Sequence, residues 1–311
     1  MALQSSGAIS LGDIEGEFGG TAPTSLSEYY SAAVGVPASG EISLTDFYGT
    51  SNRVTINLTI ASNTSVYDIF ANKGGTYSAG NTDVIVTVNS GVTVSAGATD
   101  YAMRTDSGGQ WAAGDTIKLI NNGTIAGYGG AGGNGGINVS RVGSNGAVGK
   151  HAFRANTNCT IDNNGTLAGG GGGAGGGGFC TQSGRNNTKA SFTTVTANGG
   201  GGGGGAGQNA GAIGAYGSGG SAATATAGGT GKTGIFTNNT QSTGFARGGN
   251  GGNGGARGAV GANGSTATGA AGGYGGTVTN YAGGTGGAAG FAVAGGGTVT
   301  WESTGTRYGS F

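Results

Sequence analysis

Glycine recurs at every third position in the stretch ARGGNGGNGGARGAVGANGS, residues 246–265, from Gly249 through Gly264. The same period occurs within 127–136, 211–220 and 284–290, and glycine supplies 80 of the 311 residues. Three residues per turn is the repeat of the extended polyproline-type helix, which makes no internal hydrogen bonds. Because each backbone N–H and C=O must find a partner, the period predicts extended glycine rods that pack side by side and bond to one another.

Flexible linkers and collagen are the other interpretations of such glycine tracts. A linker needs no repeat register, and collagen requires frequent proline, whereas this chain has only Pro23 and Pro37, both outside the tracts. The favoured interpretation is therefore a bundle of polyglycine-II helices, in which each hydrogen bond between rods contributes about 1 kcal/mol. The tracts lie near 127–136, 169–178, 199–220, 248–264, 269–276 and 283–290.

From residue 53 the hydrophobic pattern has a period of two. RVTINLTIA alternates from Val54 to Ile60, and DVIVTVNSGVTVSA reads as a strand, an Asn-Ser-Gly turn and a second strand. This pattern predicts a small β-domain over 53–126. The phrase NNGTIAG at 121–127 recurs as NNGTLAG at 163–169, so strand, turn, strand and glycine tract form one unit that is used at least twice.

The first 52 residues contain one phrase three times, in ISLGDI, TSLSEYY and ISLTDFYG. In each, a serine is followed three residues later by a carboxylate, the capping-box pattern of a helix start, so we expect three short helical turns. A segment this small buries little by itself, and its apolar side chains are predicted to dock on another protein or, alternatively, to pack on the following domain. The candidate docking residues are Leu11, Ile14, Phe18, Leu26, Tyr29, Leu44, Phe47 and Tyr48.

Charge is unevenly distributed along the chain. Residues 1–52 contain six acids and no Lys or Arg, whereas 116–301 contain nine basic residues and a single acid, Asp162. The basic and aromatic residues concentrate between the tracts, and a rigid scaffold that presents such loops is suited to binding, here of an anionic target. The candidate contact residues are Arg141, His151, Phe153, Arg154, Phe179, Arg185, Lys189, Phe192, Lys232, Phe236, Phe245 and Arg247.

Motifs for catalysis and nucleotide binding are weak. TAGGTGKT, 226–233, resembles a P-loop, but Thr226 stands where the first glycine belongs and no strand precedes it. His151 is the only histidine, and it is better interpreted as a surface or contact residue than as a catalytic base. A glycosidase pair among Asp83, Asp100, Asp106 and Asp115 is the remaining enzymatic interpretation, and solvated loop carboxylates are the preferred one.

The two cysteines, Cys159 and Cys180, lack the spacing of metal ligands. We expect two free or buried thiols, with a single disulfide as the alternative. The sequence thus predicts a protein that is not an enzyme and has neither metal nor cofactor. It also contains no apolar stretch long enough to span a membrane.

Two parts of the chain resemble bacteriophage proteins. The opening SGAISLGDIEGEFGG, with SLSEYY and GEISLTDFYG, looks like the start of many small tail-associated proteins of tailed phages. The tracts and loops over 127–290, with the closing GTVTWESTGTRYGSF, resemble the glycine-rich distal tail-fibre adhesins of T-even-like phages.

This resemblance implies a virion tail protein that is made in the host cytoplasm and acts outside the cell. Residues 1–52 would attach to another tail protein at the fibre tip, and 127–311 would form a polyglycine-II bundle. The β-domain at 53–126, predicted from the alternating pattern, departs from what the resemblance implies. Loops of that bundle would bind a bacterial surface receptor, either an outer-membrane protein or lipopolysaccharide, with no role for nucleic acid.

Two other functions remain open from the sequence. One is a purely structural virion protein, such as a fibre, neck or capsid decoration, without receptor binding. The other is an ice-binding polyglycine-II protein, which predicts flat Thr and Ala faces and is disfavoured by the Arg- and Phe-containing loops.

Overall fold

The computed structural model describes residues 2–97, 101–185, 192–239, 244–272 and 276–311. The fold is mainly β, with few helices. The helices are α1 (Leu11–Phe18), α2 (Ile69–Asn72) and two 3-10 helices, Leu26–Tyr29 and Leu44–Phe47.

The N-terminal module, residues 2–52, contains the three expected helical turns. The backbone N–H of each serine donates to the carboxylate three residues later, at 2.8 Å for Ser10 and Asp13 and 3.1 Å for Ser25 and Glu28. Ser43 and Asp46 repeat the contact at 2.8 Å. The predicted capping boxes are therefore confirmed, and each fixes the start of a turn.

The module also forms its own hydrophobic core. The residue after each capping carboxylate is buried: Ile14, Tyr29 and Phe47. Phe18 joins them, with its ring 6.2 Å from that of Tyr29 and 6.0 Å from that of Phe47. The expectation that these three buried side chains need a partner surface was wrong, because the three turns pack against one another around them.

After this module, three of the five sheets in the described residues form a stack of parallel rungs. The first sheet has the order β1 (Val54–Ile60), β4 (Thr82–Val88), β7 (Thr116–Asn121), β10 (Cys159–Asn163) and β19 (Val299–Ser303). The second has β2 (Thr64–Ser65), β5 (Thr93–Ser95), β8 (Thr124–Ala126), β11 (Thr166–Ala168) and β20 (Thr306–Tyr308). The third has β3 (Tyr67–Asp68), β6 (Met103–Arg104), β9 (Phe153–Arg154) and β18 (Val293–Ala294).

The period-two segments supply these strands, but neighbouring strands along the chain do not pair. β4 and β5 flank the Asn-Ser-Gly turn and lie in different sheets. The strands instead pair in parallel with the next rung, so that inward residues such as Val86, Leu119 and Ile161 stack in one core. Alternate residues along each strand point inward, so the three sheets form a parallel β-helix in which one face of each sheet lines a common interior.

The NNG repeat is a contact between adjacent rungs. Asn121 and Asn163 are buried partners in register, and Asn121 Nδ2 donates to Asn163 Oδ1 at 2.7 Å. Asn163 Nδ2 donates in turn to the Thr304 carbonyl at 2.7 Å. The two copies of the repeated strand, turn and strand thus stack on each other through an asparagine ladder, which satisfies buried polar groups at the turn.

The sheets that begin in residues 53–126 also take strands from residues 153–168 and 293–308. The boundary predicted at residue 126 therefore falls inside the stack of rungs. The glycine tracts occupy the two long connections, one between β8 and β9 and the other between β11 and β18. Both connections start where a strand of the second sheet ends, so the β-helix anchors one end of the tracts.

Hydrogen bonds between tracts follow the three-residue period of glycine. Gly130, Gly133 and Gly136 donate N–H groups to residues 171, 174 and 177 at 2.7–2.8 Å. Tract 169–178 is the most enclosed: among the described residues it bonds to 127–136, 143–150, 199–206, 248–258, 259–265 and 284–290. All ten of its residues are buried, and backbone hydrogen bonds hold it in place on every side.

The tract boundaries differ from the sequence expectation, as three examples show. Residues 248–264 form two antiparallel tracts, because the chain turns at Ala256–Ala259 and Gly258 takes a φ of 65°. Within 269–276, the described part begins as strand β16 (Thr268–Ala270). Conversely, 143–150 forms a tract although only Gly143, Gly146 and Gly149 follow the period there.

Candidate functional site

The tracts have two ends, and the end away from the β-helix is formed by hairpins. We call it the distal end: loop 137–142 and the strands that enter and leave the tracts there. Strand β12 (Cys180–Arg185) pairs with β13 (Phe192–Ala197) and β17 (Thr277–Asn280), and β15 (Gly244–Arg247) pairs with β14 (Phe236–Asn239) and β16. Both three-stranded sheets are antiparallel, so each hairpin leaves one tract and returns to another.

Small and amide side chains hold the two distal sheets together. Asn239 Nδ2 donates to Gln182 Oε1 at 2.9 Å, and both residues are buried. Cys180, Ala197, Ala246 and Ala267 form the hydrophobic cluster beside them. The close approach of small residues makes the hairpins a continuation of the tract bundle.

An aromatic and basic strip lies on the outside of hairpin β14–β15. Phe236 is 54% exposed, and its ring centroid lies 5.5 Å from that of half-buried Phe245. Exposed Arg247 is the register partner of Phe236, and Ile235 next to it is 43% exposed. Three predicted contact residues, Phe236, Phe245 and Arg247, are therefore brought together.

A second exposed group lies at loop 137–142. The guanidinium of Arg141 donates to the Tyr281 hydroxyl at 3.0 Å and lies 5.5 Å from that ring. Val139 and Val142 flank Arg141 and are both exposed. Since Phe179 donates its N–H to the Arg141 carbonyl, this group is fixed to the end of tract 169–178, the central tract of the bundle.

Several predicted contact residues lie elsewhere. Phe153 is fully buried in the β-helix core, and Phe179 is fully buried where the central tract ends, so neither side chain can contact a receptor in this structure. Arg154 is on β9 of the β-helix, and His151 stacks on Phe291 at the same end, 5.1 Å between ring centroids.

Three further predicted contact residues lie in a tract or at the ends of hairpin strands. Lys232 is half-buried within a tract, and its carbonyl accepts from Gly251 N–H at 2.9 Å. Arg185 and Phe192 are the last residue of β12 and the first of β13. Lys189 lies outside the described residues. Sequence reasoning missed Val139, Val142, Ile235 and Tyr281, although the alternation in GIFTNN and TVTNY is typical of hairpin strands.

Comparison with known proteins identifies the family. Residues 53–311 match the family of the phage tail fibre adhesin Gp38. The chain belongs to this Gp38 family.

The adhesin is accordingly a bacteriophage tail-fibre protein of the virion tail. It is also similar to the structure titled "Crystal structure of the gp37-gp38 adhesin tip complex of the bacteriophage S16 long tail fiber", with 22% identity, 99% of each chain covered and a TM-score of 0.46. No curated protein matches the chain.

The first 52 residues precede the Gp38 match. At their junction with the β-helix, Arg53 Nη2 contacts Asp83 Oδ1 at 2.7 Å and the carbonyls of Thr82 and Gly114 at 3.0 and 2.9 Å. This hydrogen bonding by Arg53 lowers the pKa of the Asp83 carboxyl. One guanidinium therefore ties the start of the first rung to the two rungs that follow.

The surface of the adhesin's N-terminal module offers fewer apolar contacts than its sequence suggested. Leu11, Phe18, Leu26, Leu44 and Tyr48 are half-buried, which leaves part of each side chain accessible. Val34 is fully exposed at the edge of a groove of about 470 Å³ that runs over Gly49–Val54.

The adhesin's two thiols are free and buried, as expected, so the alternative disulfide is not formed. Burial raises the pKa of Cys159 to about 12 and also raises the pKa of Cys180. A thiol with so high a pKa is a poor nucleophile at neutral pH. In the part of the chain that the structure describes, no group of His, Cys, Asp and Glu could hold a metal ion, and no helix is long and apolar enough to cross a membrane.

Proposed function

We propose that the adhesin binds a host cell-surface receptor through its distal end. The observation that carries this proposal is the exposure of Phe236, Ile235 and Arg247 on one hairpin, and of Arg141 with Val139 and Val142 on loop 137–142 at the same end of the tracts. Exposed aromatic and Arg side chains on a rigid support are typical of binding hot spots. An exposed apolar group of this kind is otherwise unfavourable on a soluble protein.

The charge of the distal end suits an anionic receptor. The chain has no Asp or Glu between Asp162 and Glu302, so no carboxylate in the sequence of the tracts and hairpins neutralises Arg141, Lys232 or Arg247. Acidic loops of an outer-membrane protein and the phosphates of lipopolysaccharide both provide complementary charge. We place the receptor in this class.

The glycine tracts serve this function as polyglycine-II helices. Their three-residue hydrogen-bond period, and the carbonyl contacts that meet every face of tract 169–178, support this assignment. Such a bundle holds the hairpins in fixed positions without an apolar core. A fixed contact surface loses less conformational entropy when it binds.

The N-terminal module attaches the adhesin to the tail fibre in this proposal. It has a separate core, carries six acids without a Lys or Arg, and lies at the end of the β-helix opposite to β19 and β20. A basic surface on another tail protein would complement it. Neither end of the molecule is proposed to catalyse a reaction.

Adsorption to host cells tests the receptor role. Phe236→Ala and Arg247→Ala should each weaken competition with virions roughly tenfold, because truncation of a hot-spot side chain costs more than 1 kcal/mol. Phe311→Ala is the matched control, since Phe311 is 67% exposed on the β-helix. The role fails if the wild-type adhesin neither binds cells nor competes, and a purely structural virion protein is then the better assignment.

A further inference from the structure

Eight asparagines in this chain are followed directly by glycine: Asn122, Asn134, Asn145, Asn164, Asn198, Asn250, Asn253 and Asn263. In such a pair the backbone nitrogen of glycine can attack the asparagine side chain, because glycine has no side chain to block the approach. The new N–Cγ bond forms, the Cγ–Nδ2 bond breaks, and ammonia leaves with the glycine proton. Water then opens the succinimide to aspartate or isoaspartate.

Five of these pairs form the same two-bond contact with a neighbouring tract, which we call a clasp. At Asn145, Gly146 N–H donates to the Thr285 carbonyl at 2.9 Å, and Thr285 N–H donates to Asn145 Oδ1 at 2.9 Å. The clasped asparagines are Asn134, Asn145, Asn250, Asn253 and Asn263. In each clasp, the glycine N–H donates to a tract carbonyl and an N–H of that tract donates to the asparagine Oδ1.

A clasp holds both reacting groups apart. The glycine nitrogen keeps its proton in a hydrogen bond to a carbonyl, and the side-chain amide is turned toward the neighbouring tract by the second bond. Both bonds must open before the nitrogen can reach Cγ. Opening of two hydrogen bonds at their usual net strength slows the reaction roughly thirtyfold.

Asn164 has a different environment on the exposed NNG turn of the β-helix. Its Nδ2 donates to Asn122 Oδ1 at 3.3 Å, and Ser303 Oγ donates to its Oδ1 at 3.2 Å. Among the hydrogen bonds of the described residues, none takes the Gly165 N–H to a tract carbonyl. On the preceding rung, Gly123 N–H donates to Asn121 Oδ1 at 3.2 Å, so Asn122 is partly restrained.

We infer that Asn164 is the first site of spontaneous deamidation in the folded adhesin and that the clasps protect the five clasped pairs of the glycine tracts from the same reaction. The new carboxylate would share the turn with Asp162, whose Oδ1 already accepts from Ser303 Oγ at 2.6 Å. Two like charges beside one hydroxyl repel each other. The modification therefore affects the β-helix turn and leaves the tract bundle intact.

Peptide mapping by mass spectrometry tests this inference. The full-length adhesin is incubated folded at mildly alkaline pH, and a parallel sample is incubated in denaturant. We expect Asn164 to be modified first in the folded sample, roughly fivefold faster than the five clasped asparagines, because its side chain is also hydrogen-bonded and only the glycine N–H bond to a tract is missing among the described hydrogen bonds. In denaturant the Asn-Gly sites should react at similar rates.

Two variants test whether the acidic species of the folded protein arise at Asn164 or at Asn-Gly pairs in general. Asn164→Gln should remove most of the acidic species that form in the folded sample, while Asn263→Gln should leave their amount unchanged. Modification of the clasped residues as fast as Asn164 would overturn the inference. So would an unmodified Asn164 over a period in which the denatured chain reacts.

Discussion

At the scale of single residues, backbone carbonyls decide where glycine is required. A Cβ added to Gly171 would lie 2.1 Å from the Gly255 carbonyl oxygen, one added to Gly172 would lie 1.9 Å from that of Gly287, and one added to Gly173 would lie 1.9 Å from that of Ala131. Three consecutive residues thus face three different tracts. A rigid carbonyl cannot move aside as a flexible side chain can, so the tract tolerates almost no side chain.

Gly173→Ala is expected to destabilise the fold strongly. Overpacking of a close-packed site costs about 1–3 kcal/mol, and the contact here is with backbone, so the loss should lie at the upper end of that range or above it. Chemical unfolding measures the change. Gly296→Ala is the matched control, because a Cβ at Gly296 meets nothing within 4 Å; equal losses in both variants would contradict the packing argument.

The ion pair of Arg53 and Asp83 should make stability depend on acid pH. The folded pKa of Asp83 is lowered, chiefly by the hydrogen bond from Arg53. Its contribution is therefore complete above the unfolded pKa of about 3.9 and is lost as the pH falls through the folded value. The difference in unfolding free energy between wild type and Asp83→Asn should shrink as the pH drops below about 4. A constant difference would exclude this role.

At the scale of elements, the asparagine ladder joins rungs that are distant in sequence. Asn163→Ala removes one of the two acceptors of Asn121 Nδ2 and the donor to the Thr304 carbonyl, and unpaired buried polar groups cost about 1–3 kcal/mol each. We expect a loss of about 2–4 kcal/mol in unfolding free energy. Asn122→Ala, on the exposed side of the NNG turn of the preceding rung, should change stability by less than about 0.5 kcal/mol.

The individual elements could be predicted from sequence better than their pairing. A capping box and a period of two depend on residues close in the chain, so the turns at Ser10, Ser25 and Ser43 and strands such as β4 followed from local patterns. Parallel pairing depends on contacts across whole insertions: β10 pairs with β19, more than a hundred residues later. No local pattern specifies that partner.

The same limit applies to the candidate site. Phe236, Phe245 and Arg247 were found because basic and aromatic residues between tracts suggested loops. Phe153 and Phe179 also lie in segments with aromatic and basic residues between tracts. Their burial depends on the rung and the tract that pack against them, which the local sequence does not show. The turn at Ala256–Ala259 was hidden because Gly258 continues the period while its positive φ reverses the chain.

At the scale of the whole molecule, the chain leaves the β-helix to build the glycine tracts and returns to complete it. Strands β18, β19 and β20 are the last members of the three sheets, and they cover inward residues such as Ile161 and Leu167. The C-terminal 19 residues, 293–311, are thus part of the core that supports the tracts. The N-terminal module, in contrast, has a core separate from that of the β-helix.

This division predicts opposite results for two truncated variants. Removal of residues 2–52 should leave a folded adhesin that still competes with virions for host cells but no longer joins the tail fibre. Removal of residues 293–311 exposes the last rung, and because buried apolar area supplies about 25 cal/mol per Å², this variant should fail to fold. Circular dichroism, cell competition and reconstitution of adhesin-free virions measure the three properties. Virion attachment without residues 2–52 would place the docking surface on the β-helix itself, since the tracts lie beyond it.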